Sequence, residues 1–109
     1  MKTPLGRFKI AEKIGADIPP GTIFRSRVPL APDDPPPPAD DLVLSRILWL
    51  DGLEAHNANT RDRFIYIHGT NHEEAIGTPA SHGCIRMKND DLVALFDQVP
   101  RGAEVMIEA

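Results

Sequence analysis

The chain has 109 residues, enough for one domain with a modest core and no room for a second. Its net charge of −4 comes with no basic block, which excludes the electrostatic footprint of a nucleic-acid-binding domain. No apolar run approaches the roughly 20 residues that span a bilayer, and Met1-Lys2-Thr3-Pro4 lacks the apolar stretch of an export signal.

Taken in order, the sequence reads as a succession of strands. Pro4 and Gly6 form a turn, and Arg7 to Glu12 alternates Phe8 and Ile10 with charged neighbours, the period of a half-buried strand. Pro19-Pro20-Gly21 closes the next loop, and Thr22 to Val28 reads as a second strand that forms a hairpin with the first. From about 29 to 40 the chain is proline-rich, with four consecutive prolines at Pro35 to Pro38. Such a segment cannot donate to a ladder and favours polyproline II, so it is expected as a surface loop, a semi-rigid tip rather than a docking segment for a proline-recognising groove.

Asp41 to Leu50 holds the densest apolar run. Helical spacing is available there, but the β-branched and aromatic content and the Asp51-Gly52 turn signal favour a long core strand. Glu54 to Arg63 is polar and is expected as a loop beside the functional site, with His56 solvated. Phe64 to His68 returns as a central strand, with Phe64, Tyr66 and His68 on one face and Ile65 and Ile67 on the other. Asn89 has the chemistry of a helix N-cap, with Asp90 and Asp91 in the first turn, and predicts one short amphipathic helix over about 89–98. Val105 and Ile107 alternate in a closing strand. The fold class is therefore mainly β with one helix, a single domain over 1–109.

Two clusters carry chemistry. The single cysteine, Cys84, lies in Ser81-His82-Gly83-Cys84-Ile85-Arg86, beside a histidine and after a glycine. A lone thiol forms no intramolecular disulfide; in such a setting it is either a nucleophile or a small buried hydrophobe. Sixteen positions upstream, an alternating run delivers His68 directly into Gly69-Thr70-Asn71, which fixes an imidazole on a strand end and lets the backbone turn towards the cysteine loop. A Cys–His pair becomes possible. His68, His72, His82 and Cys84 are also zinc-competent, so a zinc-binding hydrolase is an alternative, although Gly69 and the preceding alternation argue against the helix that a His68–His72 pair would need.

His68-Gly69-Thr70 followed by Ser81-His82-Gly83-Cys84-Ile85-Arg86 resembles the signature of the YkuD-type L,D-transpeptidases of bacterial cell walls. The resemblance extends to Thr3-Pro4-Leu5-Gly6-Arg7-Phe8 and to Asn89 through Ile107. It implies a β-sandwich-like catalytic domain. In that family the Thr-Pro segment follows several strands with no counterpart here, so the expectation is a domain incomplete at its N-terminus, with an exposed sheet edge prone to association.

The resemblance also implies acyl transfer on peptidoglycan stem peptides that contain diaminopimelate, in the periplasm or cell envelope, with no cofactor and no nucleic acid. Cys84 would be the nucleophile and His68 the base, oriented by the Gly69 carbonyl. The N–H groups of Gly83 and Cys84 would serve the oxyanion, since a glycine beside the nucleophile permits the tight backbone. His82 would shape the loop, though the residues alone allow it to exchange roles with His68. Arg86 suits a substrate carboxylate or a structural ion pair, and Ser81 and Asn71 would line the substrate side while holding turns with Thr70. A noncatalytic wall-binding remnant is the rival from outside the enzymes.

Overall fold

The computed structural model describes residues 3–37, 42–77 and 83–108. Among the described residues, seven strands and one α-helix follow in the order β1 (Gly6–Ile14), β2 (Ile23–Arg25), β3 (Val28–Pro29), β4 (Val43–Gly52), β5 (Tyr66–Gly69), β6 (Ile85–Met87), α1 (Asn89–Gln98) and β7 (Glu104–Ile107). The strands join in one sheet, antiparallel except for the parallel β5–β6 pair. A mainly-β architecture with one helix is what the alternation and the single 3.6-period segment predict.

β4 is the spine. Its long apolar run, ambiguous between helix and strand in isolation, is extended because both of its edges are paired. Ile47 lies between Ile14 of β1 and His68 of β5, and Leu44 between Ile23 of β2 and Gly69 of β5. β1 and β2 thus lie end to end along one edge of β4, and β5 occupies the other.

Three local expectations are corrected by this arrangement. β1 and β2 do not form a hairpin with each other, since both are antiparallel partners of β4. The stretch Thr22 to Val28 is not one strand: Ser26 and Arg27 turn at φ values of 47° and 71°, and β3 folds back on β2 with Phe24 opposite Pro29. Asp51-Gly52 is no turn, because β1 extends far enough to pair Lys9 with Asp51 and Phe8 with Gly52. The proline-rich segment is exposed and without regular structure from Ala31 to Asp34, and its residues 38–40 lie outside the described residues.

Alternation along the strands sorts side chains onto two faces. One face holds the larger core, in which Phe8, Ile10, Leu48, Leu50, Ile65 and Ile67 pack beneath Leu92 and Phe96 of α1. The other gathers Phe24, Ile47 and Tyr66, with Ile14, Trp49 and Cys84 against them. Each fully buried Leu or Ile side chain contributes about 1.5–3 kcal/mol of burial, so the helix-covered face supplies most of the stability and the other is left for chemistry.

The helix is secured at both ends by groups distant in sequence. Lys88, not Asn89, occupies the N-cap position and makes no side-chain cap bond. The Asn89 N–H is taken instead by Glu73 Oε2 at 2.8 Å. At the C-terminus, Lys13 Nζ donates to the carbonyls of Phe96 and Val99, both at 2.6 Å, and lies over the Phe96 ring. A cation there satisfies orphan carbonyls and complements the helix dipole. Replacing Lys13 with Met is expected to lower stability by about 1–2 kcal/mol in chemical denaturation, because two charge-assisted bonds from one partly buried ammonium are lost.

Candidate active site

The parallel register places the sequence-predicted residues. Ile67 lies beside Ile85, His68 beside Arg86 and Gly69 beside Met87. Cys84 immediately precedes β6, level with Tyr66, and the Tyr66 N–H donates to Cys84 Sγ at 3.4 Å. Parallel neighbours share a face, so Cys84, Tyr66, His68 and Arg86 all belong to the face opposite the helix. His68 and Cys84 are diagonal neighbours across adjacent strands.

His68 is buried, 4% exposed, with Nδ1 2.6 Å from the Gly69 carbonyl oxygen. A carbonyl only accepts, so Nδ1 carries the hydrogen and Nε2 is the basic nitrogen of the neutral ring. Gly69 can make this bond because it has no side chain: a Cβ there would collide with Asn89 Oδ1 and lie 2.7 Å from the Leu44 carbonyl. Cys84 is partly buried; its thiol faces the Phe64 carbonyl at 3.4 Å while its sulfur accepts from Tyr66. The sulfur is thus held between a backbone donor and a backbone acceptor. Gly83 is buried at φ 88°, a conformation that a side chain would strain.

Arg86 directs one Nη to the Ala75 carbonyl at 3.1 Å, on the segment that follows β5. Thr70 Oγ1 accepts the His72 N–H at 3.0 Å and so holds the turn after β5, whereas Asn71 accepts the Leu42 N–H at 2.8 Å, a long-range tie to the start of β4 rather than a turn contact. Ser81 and His82 lie outside the described residues. Among the described residues no group of three or more His, Cys, Asp or Glu is placed to hold a metal ion.

The family model of the L,D-transpeptidase catalytic domain, YkuD, matches residues 1–107. The chain belongs to the YkuD-type L,D-transpeptidase catalytic domain family. It is similar to three proteins whose names give them as L,D-transpeptidases. YqjB of Bacillus subtilis is 52% identical over 59 residues, 54% of this chain and 32% of that protein. ErfK/SrfK of Salmonella typhimurium is 53% identical over 45 residues, 41% of this chain and 15% of that protein. YbiS of Escherichia coli is 49% identical over 43 residues, 39% of this chain and 14% of that protein. The chain's matches thus cover 32% or less of the length of these L,D-transpeptidase relatives.

Three residues enter the site that sequence reasoning did not assign to it. Tyr66 was on the correct face by alternation. Its hydroxyl accepts from Arg27 Nη1 at 2.8 Å, and burial pushes the phenol above its usual range, opposed by Arg27. Arg27 lies against the rings of both Trp49 and Phe64, which also contact each other at 5.8 Å between centroids. The third is Asn89, whose Nδ2 donates to the Thr70 carbonyl and to Glu73 Oε2, both at 2.9 Å, while its Oδ1 accepts from Ser45 at 2.7 Å. Only its helix-terminal position had a local signal. The Glu54–Arg63 segment, expected beside the site, begins away from it, where Asn57 Nδ2 donates to the carbonyls of Leu5 and Arg7 at the start of β1, and approaches it only at Arg61, whose carbonyl accepts from Trp49 Nε1; His56 is exposed, as expected.

Two measurements test this framework. Gly69→Ala is expected to cost about 1–3 kcal/mol, the scale of overpacking against a fixed backbone, and to slow Cys84 alkylation by displacing the His68 orienter. Unaltered stability and thiol reactivity would contradict the crowding. The second concerns Glu73, held below the usual carboxylate range first by the Asn89 N–H and then by the Asn89 side chain. A lowered folded-state value means the stabilisation is complete above the ordinary value of 4.5 and is lost as pH falls through the lowered one. Glu73→Gln should therefore melt below the parent at neutral pH, and the gap should close only as pH drops well under that value. A gap that persists undiminished at acid pH would rule this out.

Proposed function

We propose that this chain is a cysteine-dependent L,D-transpeptidase that acts on peptidoglycan stem peptides. The observation that carries this reading is the 2.6 Å contact of His68 Nδ1 with the Gly69 carbonyl, which leaves Nε2 as the basic nitrogen on the face that also holds Cys84. Family membership supplies the reaction class.

In this reading the Cys84 thiol gives its proton to His68 Nε2, and the sulfur attacks the carbonyl carbon that joins the L-centre of the third stem residue to D-alanine. The N–H groups of Gly83 and Cys84 receive the oxyanion, and the positive φ at Gly83 makes that convergence accessible. Collapse breaks the C–N bond. The leaving amine of D-alanine takes the proton from His68, and a thioester remains on Cys84. An acceptor amine then attacks the thioester, passes its proton to His68 and leaves as the new amide, with the thiol restored. A backbone carbonyl serves as orienter, so no carboxylate is needed in the triad. The stem peptide lies outside the cytoplasmic membrane, which implies the cell envelope as the place of action. No helix among the described residues is long and apolar enough to cross a membrane.

The test uses the pair. Iodoacetamide should alkylate Cys84 rapidly near neutral pH in the parent and at least about tenfold more slowly in His68→Ala, because the thiolate fraction drops. Cys84→Ser should release no D-alanine from a tetrapeptide stem, since a serine hydroxyl stays protonated where the thiol ionises. Equal alkylation rates in parent and His68→Ala, or turnover by Cys84→Ser, would overturn the mechanism. A loss confined to a His82→Ala variant would transfer the base to His82.

A further inference from the structure

We propose that Arg27, from the β2–β3 turn, binds a carboxylate of the donor peptide beside Cys84 and so sets which substrates the cysteine accepts. The inference rests on the acyl-transfer reading for the identity of the substrate, but not for the anion site itself.

Arg27 and Cys84 share two neighbours. The Phe64 carbonyl faces the Cys84 thiol while the Phe64 ring lies 4.9 Å from the Arg27 guanidinium carbon. The Tyr66 N–H donates to Cys84 Sγ while the Tyr66 hydroxyl accepts from Arg27. The cation is therefore held one side chain away from the sulfur along two separate routes. Trp49 completes the support, 5.1 Å away, so the guanidinium is seated on a pair of contacting aromatic rings and its position is restricted.

Its chemistry is left open to a ligand. No carboxylate pairs with Arg27 among the described residues, although the chain has 16 acidic residues against 12 Lys and Arg. One of its five N–H groups is committed to Tyr66; the fork that suits a carboxylate is otherwise available. Tyr66 adds to it. Because its oxygen accepts from Arg27 and burial keeps the phenol protonated, the Tyr66 O–H can donate to the same anion. The two-residue turn that carries Arg27 sets Ser26 and Arg27 at positive φ, as a tight hairpin requires, and so fixes the backbone from which the guanidinium projects. Arg86, by contrast, already donates to the Ala75 carbonyl.

Two assays on the purified chain separate this inference from the reading it rests on. The first follows D-alanine release from a tetrapeptide stem, from its C-terminal amide, and from a stem amidated at the diaminopimelate carboxylate. The parent should prefer one free acid over its amide, and Arg27→Gln should reduce that preference about tenfold, the value of a lost charge-assisted bidentate contact. Arg27→Lys, which keeps the charge and the ring contact, should fall between. The second compares alkylation of Cys84 by iodoacetate and iodoacetamide, probes that differ in the carboxylate. Arg27→Gln should lower the iodoacetate-to-iodoacetamide rate ratio about three- to tenfold, whereas Arg25→Gln, which removes the same charge from exposed β2, should leave it unchanged. An equal fall in both variants, or no fall in either, would overturn the site. Peptide turnover with unaltered acid preference in Arg27→Gln would overturn the inference and leave the transpeptidase reading intact. A ratio change without peptide turnover would support the anion site and count against that reading.

Discussion

Gly69 lies where three demands meet. Its backbone runs against the Leu44 carbonyl and the Asn89 side chain, closer than any Cβ would permit, and its own carbonyl must face His68 Nδ1. Only a residue without a side chain meets all three. The consequences spread outward from that close approach. β5 can pair with β4 at Leu44, the loop after β5 can be held through Asn89 to Thr70 and Glu73, and the helix can start at Asn89 with its first N–H satisfied by a carboxylate from that loop. The imidazole is fixed by backbone, the part of the structure least free to relax.

The division of labour between the faces of the sheet follows from the strand period. Ile65 and Ile67 point into the helix-covered core, and Tyr66 and His68 therefore point away from it. A one-residue slip of β5 would bury the imidazole under α1 and expose two isoleucines, so the hydrophobic pattern that stabilises the fold also specifies which side carries the chemistry. The parallel β5–β6 pair then sets Cys84 level with Tyr66, which is what makes a strand histidine and a loop cysteine neighbours despite a separation of sixteen residues.

This is why much of the site was legible in the sequence. Alternation at Phe64 to His68 gives the face, and the single cysteine after a glycine gives the other candidate residue; the turn expected at Gly69 does not form, since Gly69 is still paired in β5 and is used for close approach instead. The helix was legible from its 3.6-residue spacing, with Leu92 and Phe96 buried, whereas β4 was legible from its β-branched and aromatic content, since Ser45 to Leu48 are buried in succession and do not alternate. What was not legible depends on contacts distant in sequence. The β2–β3 turn uses Ser26 and Arg27 at positive φ, where local chemistry would ask for Gly or Asn, so nothing in the stretch announces it. Asn89 reads as a cap because that is its commonest local role. In the structure its side chain reaches Thr70 and Ser45, and its cap function passes to Glu73. Phe64 falls two residues before β5, at φ 56°, with its ring against Trp49 and Arg27.

The arginines of this acidic chain have different work. Arg61 stacks on Trp49 from the loop and reaches Glu12; Arg86 donates to the segment after β5. Both are drawn towards protein acceptors. Arg27 is drawn to rings and a phenol, which hold a guanidinium in place without neutralising it. A carboxylate partner in that position would have cancelled the charge. An aromatic seat keeps it, and keeps it in a part-buried setting where an arriving anion meets less water and a stronger field than it would at the open surface.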